Sequence, residues 1–301
     1  MKNFSKDIGL IHFIGIGGIG MSGIAEILFN LNYKITGSDI SRSSNVERLQ
    51  NMGIKVYIGQ NEKNIKDASI IVISSAIKED NIELVAGSLN KIPIVRRADM
   101  LAELMRFKKS ISIGGTHGKT TTTSFISSLL EGAKLDPTVV NGGIIEAYGT
   151  NARLGKSDWM VVEADESDGS FLKLPHQISV ITNLDIEHLD FYKNEENLKK
   201  SFENFINMLP FYGTSIVCLD DKNINYLIKK NKTRNIITYS IKNKKADVLI
   251  NNINQTTTQT SFKLKIINNK IKHSNEFVFT INTVGYHNIL NGTASIIVSK
   301  L

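Results

Sequence analysis

The chain has 301 residues, of which 41% are hydrophobic and 22% charged, an ordinary globular composition with enough length for two domains of common size. The formal net charge of +7 comes from scattered Lys and Arg, with Lys242, Lys244 and Lys245 interleaved with Asn. It therefore reads as a solvated basic face suited to anionic small molecules rather than as a nucleic-acid patch. The one cysteine, Cys218, lies in the apolar run 215–219 and is expected to be a buried strand residue. No run reaches the roughly 18 apolar residues of a membrane span, and the opening MKNFSKDIGL lacks the apolar core of a signal peptide. A cytoplasmic protein without membrane insertion or nucleic acid is expected.

From residue 11 short apolar runs alternate with amphipathic stretches. Strands are predicted at 11–14, 34–36, 55–57, 70–73 and 92–95, with helical spacing between them, as in Ile24, Ile27, Leu28 and Leu31. This is the pattern of a parallel doubly wound sheet. A helix at 98–107 precedes Lys108 and Lys109, and a fresh strand starts at Ile111. The boundary is placed there, dividing the chain into 1–107 and 108–301. Further strands are predicted at 111–113, 138–140, 159–162, 179–182 and 215–219. The runs at 246–250, 262–266 and 277–281 have no helices between them and predict an antiparallel extension. The Asn/Thr/Gln-rich piece 251–260 is expected to be a loop or hairpin.

Gly15, Gly17 and Gly20 form a G-x-G-x-x-G turn between a strand and a helix, and Asp39 follows 19 residues after Gly20. Glycines let the backbone approach a pyrophosphate, and a helix N-terminus favours its charge. The turn alone does not distinguish NAD from another nucleotide diphosphate, so an NAD-dependent oxidoreductase stands as an alternative.

The stretch GGTHGKTTTTS (114–124) follows the strand at 111–113 and opens a helix. Its amides can cradle phosphates, Lys119 can reach the β- and γ-phosphates, and the Thr120 hydroxyl can ligate magnesium. The strand at 159–162 delivers Glu163 at its end, well placed for that metal, followed by Asp165, Glu166 and Asp168, equally readable as solvated loop charges. His188 follows another strand end among the carboxylates Asp185, Glu187 and Asp190, a position suited to ligation.

The tight loop Gly115-Thr116-His117-Gly118-Lys119-Thr120 lacks the leading glycine of the general phosphate-loop pattern and resembles that of the Mur ligases and the related folylpolyglutamate synthetases. FIGIGGIGMSGIAE (13–26), GSD (37–39), SSAI (74–77), RADMLAELMRF (97–107), EADESDGSF (163–171), LPFYG (209–213) and GYHNILN (285–291) agree with the Mur family in order. The likeness is strongest to the branch that joins L-alanine to UDP-N-acetylmuramate, and it covers nearly the whole chain. It implies an α/β architecture: a Rossmann-like UDP-sugar domain, then a P-loop-type central ATPase domain with an antiparallel extension. It also implies an ATP- and magnesium-dependent acid–amino-acid ligase of peptidoglycan precursor synthesis, working through an acyl phosphate.

By the same resemblance Gly15, Gly17, Gly18, Gly20, Asp39 and Ser74 contact the UDP-sugar. Gly115, Thr116, His117, Gly118, Lys119, Thr120, Thr121, Asn183, His287, Asn288 and Asn291 contact ATP. Thr120, Glu163 and His188 hold magnesium, with Lys119, Glu163 and His188 as the catalytic set. Several family members carry a carbamoylated lysine where this chain has Glu203, a departure compatible with the alanine-adding branch. Family members continue into a third domain that the sequence is expected to lack, so residues 1–301 are expected to bind both ligands while forming little product. A nucleotide-binding remnant without ligase activity is the other alternative.

Overall fold

A computed structural model describes residues 8–145, 148–267, 271 and 276–301. Residues 1–7, the start of the stretch that lacks a signal-peptide core, lie outside the described residues. The chain forms two compact units. The first takes residues up to Lys108 together with Thr138–Asp158, and the second takes Lys109–Pro137 together with Trp159–Leu301.

In the first unit β1 (Leu10–Ile14), α1 (Ile19–Asn30), β2 (Lys34–Asp39), α2 (Ser44–Asn51), β3 (Lys55–Ile58), β4 (Ala68–Ile73), α3 (Ile82–Leu89), β5 (Ile94–Arg96) and α4 (Arg97–Met105) alternate as the hydrophobic pattern predicts. The five strands form a parallel sheet in the order β3-β2-β1-β4-β5. The order reverses direction at β1 and β4, and in open α/β sheets the crevice outside such a switch point is where ligands bind. Ile11, Phe13, Ile14, Ile71 and Val72 are fully buried, as expected of strands covered on both faces.

The segment 138–158, assigned to the second unit by the strand alternation, packs with the first. It is an antiparallel hairpin, β7 (Thr138–Ile145) and β8 (Thr150–Arg153), set against α1. A Cβ on Gly23 would lie 2.6 Å from the Ala152 Cβ, so two small residues allow the close approach. Asn151 Nδ2 donates to the Ile19 carbonyl at 2.5 Å, and the Thr150 hydroxyl donates to Glu26 at 3.2 Å.

The second unit carries β6 (Lys109–Gly114), α5 (Lys119–Gly132), β9 (Trp159–Glu163), β10 (Ile178–Ile181), α6 (Leu189–Tyr192), α7 (Glu195–Asn207), β11 (Thr214–Cys218), α8 (Ile224–Lys230), β12 (Asn235–Ser240), β13 (Val248–Gln255), β14 (Thr260–Ile266), β15 (Glu276–Ile281) and α9 (Tyr286–Ser299). Its sheet runs β15-β14-β13-β12-β11-β10-β6-β9, parallel from β9 to β13 and antiparallel beyond. The antiparallel extension is as expected, and the piece 251–260 is a hairpin closed by Thr256 N donating to the Gln259 carbonyl at 2.9 Å. Strand β12 was not anticipated, because its short NIITYS run stands between polar stretches.

One core layer joins Ile111, Val161, Val180, Ile216 and Ile237 to residues of α5 and α9 such as Ile126, Ile289 and Ala294. Elsewhere Phe171, Phe202 and Phe205 are fully buried, with the Phe171 ring centroid 5.3 Å from that of Phe202 and 5.1 Å from that of Phe205, and His176 packs on Phe205 at 4.4 Å. Burial pushes the His176 pKa down to about 4, so the ring is neutral in the folded chain over most of the acid range. Between the ordinary histidine value of 6.5 and about 4 the unfolded chain takes up a proton that the folded chain refuses, so stability falls as pH falls. Urea titrations should show a loss on the order of 3 kcal/mol across that window, and His176→Gln should remove this component. An unchanged pH slope in the variant would contradict this.

Candidate functional site

Helices α2, α3 and α7 begin with side-chain caps from Ser43, Asn81 and Asn194. By contrast α1 and α5, which follow the two glycine-rich turns, have no side-chain cap and no acidic residue in the first turn, a feature shared with α9 after Gly285. Uncapped terminal amides of this kind can receive an anion.

In the second unit the loop from β6 into α5 is shaped by Gly115 (φ +121°) and Gly118 (φ +82°), both in the left-handed region. A Cβ on Gly115 would lie 2.2 Å from Thr182 Oγ1 and 2.9 Å from the Asn183 carbonyl oxygen, and one on Gly118 would lie 2.7 Å from Asn291 Oδ1. The loop is pinned to the end of β10. His117 N donates to Asn183 Oδ1 at 2.8 Å, Asn183 Nδ2 donates to the His117 carbonyl at 2.9 Å, and the Thr182 hydroxyl donates to that carbonyl at 2.6 Å. Thr116 Oγ1 accepts from Asp185 N at 2.9 Å. Asn183 and Thr116 thus shape the loop, while the exposed His117 ring points its Nε2 at Asp185 and Glu187, 3.5 and 3.4 Å away.

Lys119 is the first residue of α5, where a cation opposes the helix dipole. Its ammonium is folded back over the loop, donating to the carbonyls of Gly115 at 2.7 Å and Thr116 at 3.1 Å, and it lies 2.9 Å from Glu166 Oε2. Thr121 is half-buried in the same first turn. The Thr120 hydroxyl donates to Glu163 Oε2 at 2.9 Å. That contact follows from the sheet: β6 pairs with β9 so that Ile113 stands opposite Glu163.

Glu166 is the residue that sequence reasoning left undifferentiated from Asp165 and Asp168. It is 1% exposed, whereas Asp165 is exposed. Burial pushes its carboxyl pKa up, against the opposing pull of the Lys119 ammonium. The Tyr192 hydroxyl donates to the Glu166 carbonyl at 2.5 Å, and burial raises the Tyr192 pKa to about 12, so it stays a donor. His188 adopts a left-handed backbone (φ +56°), uncommon outside glycine, and its Nε2 lies 3.7 Å from Glu166 Oε1. The structure therefore gathers Lys119 and His188 about Glu166, and Thr120 with Glu163. Glu203, in α7, accepts from the Tyr226 hydroxyl at 3.2 Å.

Among the described residues no group of three or more His, Cys, Asp and Glu is arranged to enclose a metal ion. Thr120 and Glu163 offer two adjacent oxygens, a donor set that fits magnesium, which keeps several waters and takes few protein ligands beside phosphate oxygens.

Beside the loop lies a cavity of about 430 Å³ whose lining includes Asn183, Asp220, Lys242, His287 and Asn291. Cys218, 2% exposed, also reaches it; burial raises its pKa to about 11, keeping the thiol protonated. Asp220 and Lys242 had no role in the sequence reading; Asp220 accepts from the amides of Ile241 at 2.8 Å and Lys242 at 3.1 Å, which shapes the wall. Asn288 does not line this cavity: its amide donates to Thr283 Oγ1 at 3.0 Å and the Val284 carbonyl at 2.8 Å, tying down the start of α9.

In the first unit the glycine turn is held by the tip of β2. Gly15 N and Ile16 N donate to the Ser38 carbonyl at 2.8 and 3.0 Å, and Gly17 N donates to Asp39 Oδ2 at 2.8 Å. Asp39 therefore braces the turn. Gly18 is exposed, its N–H donating to the Gly15 carbonyl at 3.2 Å, and Ser74 begins the turn after β4, its carbonyl accepting from Ile77 N at 3.3 Å. Arg97, quoted in the sequence only as part of a motif, sets its guanidinium 3.0 Å from where a Gly20 Cβ would stand and supplies a cation beside the turn.

Residues 10–109 match the Mur ligase family catalytic domain, and residues 113–299 match the Mur ligase middle domain. The chain is 52% identical over 296 residues to the UDP-N-acetylmuramate–L-alanine ligase of Rhizobium etli, covering 98% of this chain and 63% of that one. It is 53% identical over 293 residues to the Brucella anthropi ligase of the same name, covering 97% and 62%. The crystal structure of the Thermotoga maritima UDP-N-acetylmuramate–alanine ligase superposes with a TM-score of 0.82 at 26% identity, covering 96% of this chain and 64% of that one. The chain thus spans about 63% of the length of the curated relatives it matches.

Proposed function

Because the chain belongs to the Mur ligase family, we propose that it carries the nucleotide and UDP-sugar sites of an ATP-dependent ligase joining L-alanine to UDP-N-acetylmuramate. The observation that carries this reading is the loop 114–119 with Lys119 over its carbonyls and the Thr120–Glu163 pair beside it. In the proposed reaction the lactyl carboxylate of UDP-N-acetylmuramate attacks the γ-phosphate of ATP, giving an acyl phosphate and ADP. The amine of L-alanine then displaces phosphate through a tetrahedral intermediate. A carboxylate and a triphosphate repel each other, so the protein's task is to position them and neutralise charge.

Lys119 supplies the cation for the β- and γ-phosphates. Its ion pair with Glu166 keeps the ammonium beside the loop, and the bare N-terminus of α5 adds amide donors. Thr120 and Glu163 would hold magnesium, with His188 contributing to a second ion, and the metal supplies charge neutralisation of the phosphates. The cavity next to the loop, with Asn291 and His287 in its lining, suits the nucleoside of ATP. In the first unit Gly15–Gly20 with Arg97 suits the diphosphate of the UDP-sugar, the anionic ligand favoured by the open start of α1. The oxidoreductase alternative rested on this glycine turn alone.

Calorimetry with UDP-N-acetylmuramate, ATP–magnesium and NAD tests the assignment. The first two should bind and NAD should not; NAD binding without UDP-sugar binding would reject it. Glu163→Gln and His188→Ala should each weaken ATP binding in magnesium while leaving UDP-N-acetylmuramate affinity unchanged. ATP affinity equal to that of the parent chain in both variants would remove the metal roles.

A further inference from the structure

The first unit contains a fully buried carboxylate that the ligand reading does not use. Glu83, in the first turn of α3, is 0% exposed, and so is His12 in the middle of β1. Such burial is rare for a carboxylate unless it is paired and hydrogen-bonded. Glu83 Oε1 accepts from Asn61 N at 3.1 Å and Asn64 Nδ2 at 2.6 Å. Glu83 Oε2 accepts the Ser38 hydroxyl in a short hydrogen bond and lies 3.5 Å from His12 Nε2. His12 Nδ1 is in turn 2.9 Å from Thr36 Oγ1, so a Thr36 hydroxyl donating to Nδ1 leaves the Nε2 proton for Glu83. Burial acts to raise the Glu83 pKa, yet the donors from His12, Ser38, Asn64 and Asn61 together outweigh it and hold the carboxyl below its ordinary value.

These groups come from three parts of the chain: His12 from β1, Ser38 from β2, and Asn61 and Asn64 from the segment after β3. The one that matters for the site is Ser38. Its side chain is fixed by Glu83 while its carbonyl receives the amides of Gly15 and Ile16 at 2.8 and 3.0 Å. The next residue, Asp39, receives Gly17 N at 2.8 Å. Among its residues only Ile16, fully buried, brings a side chain, so the polar contacts that set the turn's backbone come from the β2 tip. A Cβ on Gly37 would lie 2.6 Å from Ile16 Cδ1 and 2.8 Å from the Phe13 carbonyl, so the tip and the turn are in direct contact over three residues.

We infer that Glu83 is a positioning residue for the UDP-sugar site: through Ser38 it holds the backbone of Gly15–Gly17 in the conformation that receives the diphosphate. This rests on the assignment of that turn to the UDP-sugar. A buried carboxylate with three hydrogen-bond donors and the His12 ring beside it is suited to the role, because charge-assisted hydrogen bonds in a dry site are short and tolerate little displacement. Binding to a preformed turn avoids the ordering entropy that a loose glycine-rich segment would lose.

The test compares two ligands in three chains by calorimetry: the parent, Glu83→Gln and Ser38→Ala. Both variants should raise the Kd for UDP-N-acetylmuramate about tenfold and leave the Kd for ATP–magnesium within about twofold. Amide exchange at Gly15, Ile16 and Gly17 should accelerate in both. Ser38→Ala removes one oxygen at nearly constant volume, so it stays informative if Glu83→Gln does not fold. A Kd for UDP-N-acetylmuramate unchanged in folded Ser38→Ala, with Gly15–Gly17 exchange as in the parent, would overturn the inference alone. Absence of UDP-N-acetylmuramate binding by the parent chain would overturn both the inference and the ligand assignment beneath it.

Discussion

Lys119→Ala is expected to weaken ATP–magnesium binding by at least about a hundredfold, the scale of losing charge-assisted hydrogen bonds to two phosphates. The substitution also exposes a second role. Lys119 Nζ lies 2.9 Å from Glu166 Oε2, and Glu166 is 1% exposed, so removing the ammonium leaves a buried carboxylate without its ion pair. Breaking one side of such a pair costs about 3–5 kcal/mol when the charge stays buried and uncompensated, and less if the carboxyl takes up a proton. The double variant Lys119→Met with Glu166→Gln separates the two effects: it should regain most of the stability and none of the ATP affinity. ATP binding by folded Lys119→Ala at the affinity of the parent chain would reject the loop assignment.

Phe205→Ala should have the largest effect on stability, about 3–5 kcal/mol, because the ring is fully buried and its loss opens a cavity among packed aromatic rings. Phe171 lies 5.1 Å and His176 4.4 Å from it, centroid to centroid. Its edge also supports the phosphate loop from below: a Cβ on Gly114, the last residue of β6, would lie 3.4 Å from Phe205 Cε1. The variant should therefore lower Tm by on the order of 10 °C and weaken ATP binding less than Lys119→Ala does. A stability change under about 1 kcal/mol in a urea titration would show that the cluster repacks and that the loop does not depend on it.

Much of the second-unit site was legible along the chain because its parts are local. A glycine-rich turn between a strand and a helix, with Lys119 and Thr120 at the helix start, is one continuous segment. Glu163 was legible for a related reason: a residue at the C-terminal end of a parallel strand stands beside such a loop whenever the strands neighbour each other, as β6 and β9 do. The alternation of strands and helices likewise determined the parallel sheets, since the period of apolar residues is set by the backbone geometry of each element.

What the sequence could not distinguish was which charges are buried. Asp165, Glu166 and Asp168 look alike in a polar loop, and Glu83 looks like a solvated charge in the first turn of a helix. Glu166 is selected by Lys119 and by the Tyr192 hydroxyl, and Glu83 by donors from β1, β2 and the segment after β3. Likewise the hairpin 138–158 has the strand pattern of the second unit but packs with the first, where Gly23 and Ala152 leave room for it. Periodicity and spacing are properties of one segment, and the chain carries them wherever it goes. Whether a carboxylate is buried and ionised depends on groups brought from distant segments to within about 3 Å, and only the tertiary structure decides which groups those are.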